Sequence, residues 1–317
     1  MSRIEQAINN LIIGSCGEIN SKLEQVAFEI DIKDTKSKGY CYCLKVDANG
    51  ELRLKDLIEF IDTKIVDYAI PKKDVDEAKK HFDSTGSTQK ILGLQKRAKT
   101  LFTDLEKTGE GGEILLYILV LEYLKIPQLI SKMALKTSGQ VHYQGADGVH
   151  VKYDSKNKRL NLFWCESKMY KSMSDAVDEC LTSIKGYLLD SRSAESVQQR
   201  DLELITSNIT TNVNDVELED ILVRYFDKDD DLSNSLEYKA ICFLGFNRAV
   251  YKSKGVLKST GEIKTTIEAK MTEWYDVVGE KINEHPRLNL KEMHIFLMPF
   301  PSVEEFRRSF LKEIKQC

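Results

Sequence analysis

Two segments of extended character, Gly145–Tyr153 and Leu160–Lys168, flank the polar stretch Asp154-Ser155-Lys156-Asn157-Lys158-Arg159. Together they read as a β-hairpin, and this pairing constrains the chain more than any other feature. With the loop centred between Lys156 and Asn157, Asp147 faces Glu166 across the pair, their Cβ atoms roughly 5 Å apart. The period of two puts Asp147, Val149 and Val151 on one face with Glu166, Trp164 and Leu162. An apolar face therefore ends in two carboxylates. Lys168 leaves the strand on the same side as Glu166 and reaches the same place.

Buried like charges at that range repel unless a cation sits between them. A hard divalent ion such as Mg²⁺ resolves the conflict, because it takes one or two carboxylates and keeps water in its other positions. Ser167 points its side chain away, but its backbone carbonyl is a candidate further ligand. Glu113, at the start of an apolar helix, adds an outer carboxylate if that helix end abuts the hairpin. Two or three acids, one ion and one lysine suit in-line attack of water on a phosphodiester.

Helices and strands alternate around the hairpin, which gives an α/β or α+β class. Residues 1–105 read as an N-terminal α+β region, a scaffold or partner-docking unit. It holds a strand near Gly39–Val46, a turn at Ala48-Asn49-Gly50 and helices over Leu54–Tyr68, Lys72–Phe82 and Thr88–Leu105, with Pro71 opening the second. Residues 106–317 carry the candidate site. There Thr108-Gly109-Glu110-Gly111-Gly112 breaks the pattern, and Glu113 opens a nearly all-apolar helix to Leu124, ended by Pro127. Leu129–Leu135 predicts a strand and Thr137-Ser138-Gly139 a turn. Ser174–Leu189 predicts a helix capped by Ser174. Past a polar connection and an acid-rich stretch, Tyr238–Phe246 and Met293–Phe300 predict strands, and Ile267–Ile282 and Val303–Ile314 helices.

Composition removes several classes. With 317 residues, 42% hydrophobic and 30% charged, the chain can bury a continuous core, so disorder is not its main state. The longest apolar run, Ile114–Leu121, falls far short of the roughly 18 to 20 residues of a membrane span. Met1-Ser2-Arg3-Ile4-Glu5 does not read as a signal peptide, and a cytoplasmic location is expected. Seven scattered cysteines argue for reduced thiols; Cys41 and Cys43 lack a second pair and read as packing. The five histidines form no metal-binding spacing. Asp227-Lys228-Asp229-Asp230-Asp231 is no calcium loop, since Leu232 stands where glycine belongs and Tyr238 where glutamate belongs. No P-loop is present, so ATP use must come from a partner.

Each candidate also has a structural reading. Glu166 and Lys168 could form a solvated ion pair, Asp147 could be a turn acid, and Glu113 could simply complement a helix dipole. Lys185, on the helix after the hairpin, is a weaker candidate for facing the site. The net charge of −4 opposes strong independent nucleic-acid binding. Locally, Lys152, Lys156, Lys158, Arg159, Lys168 and Lys171 outnumber Asp154 and Glu166, so the hairpin can meet phosphates while a partner supplies affinity.

Glu113, then Asp147, then Glu166-x-Lys168 across a hairpin flanked by helices resembles the PD-(D/E)XK, restriction-endonuclease-like nuclease core. The longer context is similar to the HamA family of the Hachiman anti-phage defence system. It comprises Gly112-Glu113, Ser131-Lys132-Met133-Ala134-Leu135-Lys136-Thr137, Gly145-Ala146-Asp147-Gly148-Val149-His150, Glu166-Ser167-Lys168-Met169-Tyr170 and Leu297-Met298-Pro299-Phe300-Pro301. The likeness runs over about residues 105–317 and more loosely before. It implies a mixed central sheet between helices, Mg²⁺-dependent cleavage (Mn²⁺ as a substitute), DNA as target, and a HamB-like superfamily 2 helicase as heterodimer partner. By motif position Asp147 and Glu166 would be metal ligands, Lys168 the catalytic lysine and Glu113 the supporting acid. Ala146 replaces the motif's proline, which is not a ligand. The alternatives are a non-catalytic subunit that docks a helicase, and an RNA-cutting or DNA-repair nuclease on the same fold.

Overall fold

The computed structural model describes residues 2–102, 109–133, 145–189, 196–253 and 256–315. In chain order, α1 (Arg3–Asn9) precedes β1 (Leu23–Asp31), β2 (Lys38–Leu44), α2 (Leu54–Thr63), α3 (Ile65–Ala69), α4 (Lys72–Thr85) and α5 (Gln89–Thr100). Then come α6 (Glu110–Leu119), continued as a π turn over Val120–Leu124, β3 (Gln128–Ser131), β4 (Gly148–Asp154) and β5 (Arg159–Tyr170). These lead to α7 (Met173–Leu189), α8 (Val197–Asn212), α9 (Val216–Phe226) and β6 (Leu236–Asn247). The short pair β7 (Lys252–Ser253) and β8 (Val256–Leu257), then α10 (Thr260–Glu268), α11 (Met271–Asn283), β9 (Met293–Phe300) and α12 (Val303–Lys315), complete the chain.

Among the described residues, seven strands form one mixed sheet in the order β1-β2-β9-β6-β5-β4-β3. The pairs β2/β9, β9/β6 and β6/β5 are parallel, while β1/β2, β5/β4 and β4/β3 are antiparallel. Central β6 is buried from Ala240 to Phe246, as a parallel strand covered on both faces must be. On one face Trp164 of β5 stacks on Tyr187 of α7 at 4.7 Å, and Phe246 of β6 meets Trp274 of α11 edge-on at 5.1 Å. On the other, α6 lies against Ser167 and Met169 of β5 and against Phe306 and Phe310 of α12. Helices thus cover both sides of the sheet.

The hairpin forms in the expected register: Gly148 pairs with Cys165 and Asp154 with Arg159. Other elements differ in extent. Leu54–Tyr68 divides into α2 and α3 at Lys64, and Ile267–Ile282 is two helices broken at Ala269 and Lys270. Strand β3 ends at Ser131, and the residues expected to continue it beyond Met133, with the turn at Thr137-Ser138-Gly139, lie outside the described residues. Helix α7 begins at Met173, so Ser174 is not its cap; the Ser172 hydroxyl instead accepts from the Asp175 N–H at 3.3 Å. Gly111 and Gly112, read as breakers, lie inside α6, where the helix backbone comes so close to its neighbours that a Cβ has no room. Residues 1–105 and 106–317 share the sheet, because β2 pairs with β9. The six described cysteines are buried and free.

Candidate active site

Strands β3, β4 and β5 bring their chemistry to one end of the sheet. Ser131, the last residue of β3, pairs with Gly148, the first of β4, and Gly148 pairs with Cys165 of β5. The ladder runs one residue further: the Asp147 N–H donates to the Cys165 carbonyl at 3.0 Å. The Asp147 carbonyl accepts from the Lys132 N–H at 3.3 Å and from the Tyr68 hydroxyl of α3 at 3.1 Å. The residue is therefore pinned by its main chain on both sides.

Side chains then converge. Asp147 Oδ2 accepts from the Ser167 N–H at 2.8 Å, and Oδ1 accepts from Lys132 Nζ at 3.1 Å. The same ammonium donates to Glu113 Oε1 at 2.9 Å, and the Tyr68 hydroxyl, its one proton shared with the Asp147 carbonyl, lies 3.3 Å from Glu113 Oε2. Lys168 Nζ lies 2.6 Å from Glu166 Oε1, so both leave β5 on one side, the side of Trp164 and α7. Ser167 turns the other way, its hydroxyl buried against Gly112 with no partner among the described residues. Glu113, Asp147, Glu166 and Ser167 are all more than nine-tenths buried. Neither a turn acid nor a solvated strand end describes them.

Burial dominates the electrostatics. Exclusion from water and the charge of Asp147 push the Glu166 carboxyl up to about 8, against the pull of Lys168. Burial and Asp147 likewise push Glu113 up to about 7, against Lys132. Burial alone would lower both lysines, but Asp147 and Glu113 carry Lys132 well above the ordinary ammonium value, and Glu166 does the same for Lys168. Three carboxylates face two ammoniums, and Glu110 is buried in the first turn of the same helix. Among the described residues, these three carboxyls share two ammoniums, and the raised values of Glu113 and Glu166 follow from burial first and then from that.

The donor chemistry fits a hard divalent ion: carboxylate oxygens, a nearby main chain and, among the described residues, no histidine or thiolate ligand. Among the described residues, no three His, Cys, Asp or Glu side chains already converge on one metal position. The acids are drawn onto Lys132 and Lys168 instead. Cavities of about 880 Å³ between α2 and α12, and of about 550 Å³ against Asn161 and His294, lie away from these acids.

Three contributors escape a reading by spacing. Lys132 lies just past a four-residue strand, and Tyr68 is about 80 residues from the aspartate it holds. Asp201 of α8 accepts from the Ala146 N–H and from the Tyr187 hydroxyl, each at 3.1 Å, and so braces the segment that carries Asp147. An acid every few residues is ordinary in this chain, and nothing local marks this one. Lys185 is exposed on α7.

A helix-flanked mixed sheet with acids and lysines gathered at one end of its antiparallel strands defines an α/β protein consistent with a nuclease-like core. The HamA family model matches residues 20–314, nearly the whole chain. The chain belongs to the HamA family and is a component of a Hachiman defence system. No curated protein matches it. No helix among the described residues is long and apolar enough to cross a membrane.

Proposed function

We propose that the chain is the DNA-cutting effector of its Hachiman complex, a Mg²⁺-dependent phosphodiesterase held in a cytoplasmic heterodimer with a HamB-like superfamily 2 helicase. One observation carries this reading: Glu113, Asp147 and Glu166 are buried together beside Lys132 and Lys168 where the hairpin ends, three acids to two cations among the described residues. A fold gains nothing in stability from such a cluster, since burying unbalanced charge is costly. Perturbed groups of this kind gather at functional sites.

Asp147 and Glu166 would hold the ion, with the Ser167 carbonyl and Glu113 as further candidate donors. An ion held there would supply charge to polarise the phosphoryl group and to activate water. The remaining work falls to the chain. Lys168 offsets charge on the phosphate and orients the attacking water. The water oxygen forms a bond to phosphorus as it gives up a proton to solvent, the bond from phosphorus to the leaving sugar oxygen breaks, and that oxygen takes up a proton from solvent. The Ser167 N–H and Tyr68 keep Asp147 aimed. With a net charge of −4, the helicase supplies most of the affinity for DNA.

The test is to incubate the purified chain, alone and with its helicase partner, with plasmid and single-stranded DNA in Mg²⁺ or EDTA. Cleavage that needs Mg²⁺ and is lost in Glu166→Ala and Lys168→Ala, with partner binding retained, supports the proposal. Full phage protection by the double variant would rule it out.

A further inference from the structure

The acids already have a cation of their own. The Lys132 ammonium is about four-fifths buried and bridges Glu113 Oε1 and Asp147 Oδ1. The other oxygen of each acid is also engaged, by the Tyr68 hydroxyl and by the Ser167 N–H. Each of the four oxygens of this pair therefore has a protein donor within reach, the one Tyr68 proton being divided between Glu113 and the Asp147 carbonyl. Lys132 is anchored twice, because its own N–H also donates to the Asp147 carbonyl. It follows directly on β3, so its stem starts from a paired strand end and not from a free loop.

A position between two carboxylates, within hydrogen-bond reach of both, is where a divalent ion bridging them would sit. Two cations cannot share it, since like charges repel strongly where water is excluded. Glu166 is placed differently: its cation is Lys168, two residues along the same strand, and that side chain is less enclosed than the acid it pairs with.

We infer that Lys132 is a built-in counter-cation that closes the Glu113–Asp147 half of the site to metal and confines binding to a single ion on the Asp147–Glu166 half. The inference rests on the nuclease reading above and sharpens it. Glu113 becomes a positioning residue that acts through Lys132. Asp147 divides its charge between lysine and metal, so the affinity for the ion is held down.

Mn²⁺ titration of the full chain by calorimetry tests this without any cleavage readout. The wild type should bind one ion per chain. Lys132→Gln removes the competing charge and should bind Mn²⁺ at least about tenfold more tightly. Lys132→Arg keeps the charge and should stay near the wild-type value. The double variant Glu113→Gln/Lys132→Gln leaves Asp147 as the one acid released by the loss of Lys132 and guards against a single variant that fails to fold; it too should bind more tightly than the wild type. A purely structural role for Lys132 predicts a lower melting temperature with Mn²⁺ affinity unchanged or weaker in the folded variants, and that result overturns the inference while leaving the nuclease reading intact. Failure of every protein, wild type included, to bind Mn²⁺ contradicts the nuclease reading and the inference with it.

Discussion

The two ends of the β4–β5 hairpin carry the same residue types and use them in opposite ways. At the loop end, Asp154 accepts from the N–H groups of Lys156 and Asn157 at 3.0 and 3.1 Å and from the Asn157 amide at 2.7 Å. Those contacts, the amide first, hold it below the usual carboxylate range. Lys156, Lys158 and Arg159 stand exposed around it. At the other end Asp147 and Glu166 are buried, and Glu166 is pushed up to about 8. Exposed charge is settled locally by solvent and a turn. Buried charge depends on fixed cations, Lys168 from the same strand for Glu166 and Lys132 from beyond β3 for Asp147, and that dependence leaves room for a ligand.

The comparison breaks most sharply on activity. Substituting Glu166→Gln or Lys168→Ala at the buried end should lower the rate of Mg²⁺-dependent DNA cleavage by about a hundredfold or more. Lys156→Ala with Lys158→Ala at the loop end should change it by less than about tenfold, because those side chains meet at most the phosphate backbone. Equal losses at both ends, measured on a labelled duplex, would erase the distinction.

Stability against pH gives the next largest contrast. The folded-state values of Glu166 and Glu113 are raised, so their contribution to stability is complete below about pH 4.5 and is lost as pH climbs through about 7 to 8. The metal-free wild type should therefore lose melting temperature relative to Glu166→Gln between pH 5 and 9, and added Mn²⁺ should restore more of it at the upper end. Asp154→Asn should show no such trend in that window, because its carboxyl is already ionised throughout. A flat difference for Glu166→Gln, read by calorimetry, would mean that its environment is wetter than the structure shows.

Packing supplies the third contrast. A Cβ at Gly112 would lie 2.7 Å from Ser167 Oγ and 2.9 Å from Met169 Sδ. Gly112→Ala should thus cost about 1–3 kcal/mol in denaturant unfolding as α6 is pushed off β5. Tyr68→Phe, which removes the buried hydroxyl shared by Glu113 and the Asp147 carbonyl, should cost about 1–2 kcal/mol. Lys158→Ala in the loop should stay within about 0.5 kcal/mol.

How much of this was legible in the sequence follows from which contacts are local. The hairpin is local, so its alternation and polar loop gave the register that sets Asp147 opposite Glu166. Buried strands β6 and β9 read clearly because both faces are covered and their apolar runs are unbroken. Edge strand β1 did not, since most of its residues are exposed and its pairing with β2 is broken by bulges. Helix α8 was hidden in a polar stretch, yet it carries Asp201 to Ala146. Lys132 stood within a family-like segment, but its partnership with Glu113 and Asp147 exists only once β3, α6 and the hairpin meet. Spacing reports neighbours along an element. It is silent about those that arrive from elsewhere.

Crystals of the chain soaked in Mn²⁺ and measured at the manganese edge test the central claim most directly. The account predicts one anomalous peak per chain, flanked by the carboxylates of Asp147 and Glu166 and absent in Glu166→Gln. No peak at those acids at Mn²⁺ concentrations that support cleavage, or a peak that persists unchanged in Glu166→Gln, would contradict it.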